Sequence, residues 1–184
     1  MKKEEKLAEE MASWESSEIR FALNKYDDIF SDFDPRPVPL KGFSDDFLSE
    51  AKRASVVKEE KIDFIFMMPK EERNLKEEAR IEDRLKKYFK KHLDILEKEK
   101  NKMIKEGVIF TIIGMALMMV ATYLLFKFKN ESLWANFFVI LFEPAGWFVF
   151  WHGLDNVIFE PRDINPDLDF HRKMANATIK FTSV

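Results

Sequence analysis

"GVIFTIIGMALMMVATYLLF", residues 107–126, is a run of 20 residues without a charge. A helix of that length rises about 30 Å, the thickness of a bilayer's hydrocarbon core. A second apolar run, "LWANFFVILFEPAGWFVFWHGL" at 133–154, has 22 residues and one acid. Only "KFKNES" (127–132) joins the two, so they must be antiparallel neighbours. Both runs are internal, and neither reads as a cleaved signal. The N-terminal stretch "MKKEEKLAEEMASWESSEIR" also lacks the apolar segment of a secretory signal. These residues predict a two-span membrane protein.

Basic residues set the expected orientation. Lys98, Lys100, Lys102 and Lys105 precede the first span and Arg162 follows the second, whereas Lys127 and Lys129 alone lie in the connecting loop. That bias places both termini in the cytoplasm. Tyr123, Trp134 and Trp151 fit interfacial anchoring, and Trp147 is expected to lie deeper and pack.

The spacing of small residues predicts how the spans meet. Gly107, Gly114 and Ala121 recur every seven residues in the first, and Gly146 and Gly153 do so in the second. Small residues let helix backbones approach closely in lipid. In an antiparallel hairpin, paired positions have a constant sum. Gly107 with Gly153 and Gly114 with Gly146 share one sum, whose midpoint, residue 130, falls in the expected turn. The same register sets Lys105 opposite Asp155, a candidate ion pair at the membrane surface.

Glu143 breaks the apolar pattern near the middle of the second span, with Pro144 directly after it. An ionised carboxylate at that depth costs about 2.5–3.5 kcal/mol on insertion scales, so it calls for neutralisation, pairing or water. Proline has no N–H, which takes the usual helical donor from the carbonyl of Ile140. Two readings follow. In one, Glu143 binds an ion or proton at a helix broken by Pro144. In the other, Glu-Pro is a kink held by a local hydrogen bond, or a polar clamp between subunits. His152 and Asp155 lie one turn apart near the cytoplasmic end and are weak candidates for a metal, alongside an acidic stretch containing Glu160, Asp163, Asp167, Asp169 and His171. No recognised ligand spacing appears, and no metal or other cofactor is expected.

The rest of the 184 residues are highly charged, so a mean hydropathy of −0.30 conceals the hairpin. The 30 basic and 33 acidic residues give a net charge of −3, which leaves no basic excess for nucleic acid. With no cysteine, the chain has no disulfides and no thiol chemistry. Enzyme signatures are missing: no glycine-rich phosphate loop, no G-x-S-x-G and no H-E-x-x-H occurs.

Residues 1–28 read as a charged helix with a broken apolar stripe, either a partner-binding helix or one packed on its own domain. "SDFDPRPVPLKG" (31–42) reads as a loop or short edge strand, and "SDDFLSEAKRA" (44–54) as a helix capped by Ser44. "KIDFIFMMP" (61–69) alternates and ends in proline, as a strand does. Its best partner is the β-branched tail "ATIKFTSV" (177–184), with "VPL" (38–40) as a second candidate. Residues 71–106 form a long amphipathic helix with no glycine or proline before Gly107, and this helix is expected to continue into the first span. The three histidines, 92, 152 and 171, are scattered.

The expected architecture is a small cytoplasmic α+β domain on a two-span hairpin. Residues 1–70 supply the N-terminal part of the domain, 71–106 the long helix, 107–156 the hairpin, and 157–184 a tail returning to the domain. The expected function is a non-enzymatic, membrane-anchored interaction or scaffold module. Its partners would be the lipid bilayer together with further copies of itself or another membrane or cytosolic protein. A homo-oligomeric channel or pore with Glu143 on the path is the alternative, and a membrane enzyme comes third.

Overall fold

The computed structural model describes residues 18–56, 62–128 and 131–184. The fold is mostly helical, with one small sheet. In chain order it comprises β1 (Glu18–Ala22), α1 (Asp45–Ser55), β2 (Asp63–Met68), α2 (Leu75–Phe128), α3 (Leu133–Ile158), α4 (Glu160–Ala175) and β3 (Thr178–Ser183). Short 3-10 turns occupy Tyr26–Ile29, Val38–Leu40 and Lys70–Glu72. The described residues divide into two compact units, one within 1–93 and 169–184 and the other within 94–168.

In the first unit the strand order is β1-β2-β3, and both pairings are parallel. The C-terminal strand thus pairs with β2. Parallel neighbours need crossover connections, and helices supply them here. Two crossovers stepping in the same direction put their helices on one face of the sheet. One core accordingly joins the inner-face residues Ile19, Phe64, Phe66 and Ile179 to Phe47 and Ala51 of α1, Ile81, Leu85 and Phe89 of α2, and Phe170 and Met174 of α4. In register, Ile19, Phe64 and Ile179 form one row, and Phe21, Phe66 and Phe181 the next. The alternate residues face the other way. Arg20, Ile65 and Lys180 stand side by side there, and Lys180 pairs with Asp63 at 2.6 Å.

The N-terminal reading needs correction. Residues 18–22, expected as part of a helix over 1–28, form β1, and residues 1–17 lie outside the described residues. In "EIRFA", Ile19 is buried between exposed or half-buried polar neighbours, which is the period of a strand rather than a helix. "VPL" does not join the sheet; it forms the 3-10 turn at Val38–Leu40. Arg84 holds that turn to α2. Its guanidinium donates to the carbonyls of Val38 and Lys41 and lies 4.6 Å from the centre of the Phe30 ring. Burial pushes its pKa down from the usual arginine value. In the same loop Asp34 takes a bidentate Arg36 and the Gly42 amide. Ser44 sits at the N-cap of α1, but its hydroxyl makes no capping bond; its carbonyl accepts from Leu48. The acidic stretch around 160–169 is helical, and α4 runs through it and through Pro166.

A polar lock closes the end of the sheet where the strands point. Glu78 is 7% exposed. Arg73 donates to its two carboxylate oxygens at 2.8 and 3.0 Å and to the Ser183 hydroxyl at 3.0 Å. The Tyr26 hydroxyl donates to Glu78 at 3.1 Å and accepts from the Asn74 amide at 2.7 Å. The segments that follow β1 and β2, and the last residue of β3, are thereby tied to the first turn of α2. The Arg73 hydrogen bonds hold the Glu78 carboxyl below the usual glutamate range, outweighing burial, and Tyr26 adds to the effect. A depressed carboxyl contributes stability above the unfolded value, about 4.3, and loses it as pH falls through the folded value. Asp34 and Asp63 are lowered too, by Arg36 and Lys180 respectively, so all three act in the same direction. Glu78→Gln should cost about 1.5 kcal/mol at neutral pH, the worth of a hydrogen bond to a charged group. It should also flatten the loss of stability below about pH 4. Thermal melts of both proteins from pH 7 to 3 check this; parallel curves would contradict it.

Helix α2 has 54 residues and is therefore about 80 Å long. It contains the 107–126 run without a break, as expected from the absence of helix breakers before Gly107. Among the described residues, two helical stretches are long and apolar enough to cross a membrane, one within Leu75–Phe128 and one within Leu133–Ala175.

Candidate functional site in the apolar hairpin

The second unit places α2 and α3 side by side and antiparallel, and glycines mark where they meet. A methyl group on Gly114 would lie 2.5 Å from the Phe150 nitrogen and 2.7 Å from the Gly146 carbonyl oxygen. One on Gly107 would lie 2.7 Å from the Gly153 carbonyl oxygen, and one on Gly153 would strike the Thr111 amide and lie 2.6 Å from the Gly107 oxygen. These are contacts with backbone, which cannot rotate away. Ala121, Ala135 and Val139 are buried along the same seam. The Thr111 hydroxyl, beside Gly153, is satisfied by donating to the Gly107 carbonyl at 2.8 Å.

Lys105 and Asp155 share the height of this register but form no ion pair among the described residues, and both are exposed. The constant sum fixes height, not direction. Each residue lies two positions from a seam glycine, which rotates its side chain by about 200° and turns it away from the partner helix. Height agreement therefore does not make the expected pair.

Glu143 is exposed, and among the described residues its carboxylate has neither a hydrogen bond nor an ion pair. On a helix turning about 100° per residue it lies roughly 40° from the buried Val139, at the flank of the seam. Pro144 does not break the helix. α3 runs continuously from Leu133 to Ile158 through it, so no second half-helix begins there. The local hydrogen bond expected from Glu143 to the Ile140 carbonyl is not made. About one turn to either side of it, Ile140 is 73% exposed and Trp147 61%. Trp147 does not pack inside the hairpin; its ring lies 6.0 Å from that of Trp151.

His152 stacks on Phe148 with rings 6.5 Å apart and faces Phe110 at 5.4 Å, so its neighbours are aromatic rather than ligating. No group of three His, Asp or Glu positioned for a metal occurs among the described residues. The histidines are less scattered than their numbering suggests. His92 and His171 stack in the first unit at 5.6 Å, beside Phe89 and Tyr88, and the His92 Nδ1 lies 2.9 Å from the Tyr88 carbonyl oxygen. Sequence reasoning missed this pair and the Arg73–Glu78–Tyr26 lock, because both join positions far apart in the chain. The only available signal was His92 on the apolar side of its helix. No protein-family model matches this chain, and neither a curated protein nor a solved structure matches it.

Proposed function

We propose that this chain is an integral membrane protein of two spans with both termini in the cytoplasm. It acts there as a non-enzymatic, anchored interaction module. The observation that carries this reading is the outward face of the hairpin. In the most apolar 18-residue windows, only 11% of the α2 residues and 17% of the second stretch are buried. A core helix of a soluble protein would be mostly covered, and water penalises so large an apolar surface. Lipid is the solvent that accepts it. The first unit, by contrast, buries Phe30, Phe47, Phe64, Phe66, Phe89 and Phe170 in a core of its own, as a folded recognition domain does.

The orientation and the module are tested together in cells, using the absence of cysteine as a clean background. A single cysteine at Lys127 should react with an impermeant maleimide from outside. One at Val56 should react only after permeabilisation, and carbonate should not extract the protein. The reverse labelling overturns the orientation, and carbonate release overturns the anchor. Photocrosslinking from Lys180 on the edge strand β3 should give one discrete adduct; none in the native membrane would argue against a recognition domain.

The exposed, unpartnered Glu143 favours a second reading, a homo-oligomeric pore with this carboxylate on the path. Unchanged ion flux in reconstituted Glu143→Gln protein removes Glu143 from that pathway.

A further inference from the structure

We infer that Glu143 is the polar centre of a two-fold interface at which a second copy of this chain packs against α3. The inference rests on the two-span reading above. Three observations support a copy of the same chain as the occupant. First, the carboxylate is exposed near the middle of the span and has no partner among the described residues. Hydrocarbon offers none either, and a group on another helix can satisfy it without a water-filled path. Second, neither apolar run contains a lysine or arginine, and the one histidine, His152, lies nine residues, or about 13 Å, along the helix from Glu143, so a second copy brings no counter-ion to it. What it does bring is self-complementary. A neutral carboxylic acid both donates and accepts, and Pro144 leaves the Ile140 carbonyl, one turn away, without its usual donor. Each Glu143 can therefore donate to the Ile140 carbonyl, or to the carboxyl, of the copy opposite. Such an exchange is reciprocal, as an interface about a two-fold axis requires. Third, Ile140, Glu143 and Trp147 follow one another at spacings of three and four. They form a single exposed stripe of large side chains around one polar group. A lone polar residue in an apolar helical seam fixes register and copy number.

The stripe is distinct from the glycine seam, which the hairpin itself occupies. The two-fold geometry also limits assembly to a pair and leaves no central path between copies.

The test uses the full-length protein in nanodiscs, with mass measured by light scattering corrected for lipid. The wild type and Glu143→Gln, which keeps a donor and an acceptor, should contain two copies. Glu143→Leu should contain one. A cysteine at Ile140 should crosslink to its counterpart on oxidation. One at Leu141, about 160° away from Glu143 around the helix, should not. The Ile140 crosslink keeps the proposal testable if the leucine variant is not recovered. A monomeric wild type, equal masses for wild type and Glu143→Leu, or a ring of four or more would overturn the two-fold interface. Carbonate extraction of the same membranes separates the two failures: resistance with a monomeric mass sinks only this inference, whereas release sinks the membrane reading beneath it.

Discussion

Gly114→Leu should separate the two helices of the hairpin. The clash begins with the first added carbon, which meets the Phe150 nitrogen at 2.5 Å and the Gly146 oxygen at 2.7 Å. Ordinary contacts need about 1 Å more, and overfilling a packed contact by even one methylene costs about 1–3 kcal/mol. Leucine adds three further carbons on the same side. In the proposed bilayer, lipid would give the helices no hydrophobic drive to associate, so close packing would be the term that holds them, with little to compensate for its loss. A cysteine pair at Ala121 and Val139, both buried on the seam, reports the contact. It should crosslink readily in the parent and fail to do so with Gly114→Leu, while Gly114→Ala gives an intermediate yield. Gly42→Ala is the control, since a methyl group there meets only the Asp34 carboxylate at 3.7 Å. An undiminished crosslink in Gly114→Leu would show that the glycine seam does not hold the hairpin.

Phe66→Ala should bring the first unit close to unfolding. Phe66 is fully buried in the central strand, within 6.2 Å of the rings of Phe21, Phe47, Phe64 and Phe181. Deleting a buried phenylalanine costs about 3–5 kcal/mol, against a total of about 5–15 for a typical domain. Every neighbouring ring loses a contact, and rigid aromatic side chains refill a void poorly. Hydrogen exchange on the intact protein should show the amides of β2 and β3 losing protection by about a hundredfold or more. Amides of α3 in the second unit should be unchanged. Retained protection in β2 would mean that this aromatic cluster is not the source of the unit's stability.

The sequence disclosed features that depend on local period or on discrete spacing. β2 alternates strongly, and the absence of helix breakers before Gly107 lets α2 run on. The glycines spaced by seven are those at which α2 and α3 approach. β1 was harder to read, because five residues carry too few alternations to outweigh the helical stripe that precedes them. Direction around a helix was lost as well, since a constant sum sets height alone and left Lys105 and Asp155 pointing away from each other. The effect of Pro144 was overestimated, because one missing donor does not end a helix whose other hydrogen bonds persist. The His92–His171 stack and the Arg73–Ser183 bond depend on the tertiary fold, and no pattern within a single segment encodes them.

The order of strands in the sheet has a bearing on biosynthesis. β2 is the central strand, yet Thr178, which begins β3, is made about 110 residues after Met68, which ends β2. At about 5–20 residues per second, the ribosome takes roughly 6–20 s to supply that second neighbour. Both apolar runs are translated in the interval. For that time the nascent chain presents a phenylalanine-rich strand with one side unpaired, a template for association with other chains. If the hairpin enters a bilayer as proposed, its insertion precedes completion of the domain, and a stall between residues 154 and 178 would leave an anchor with an open sheet. In a protein made in this order, β2 is open to association during synthesis rather than after release.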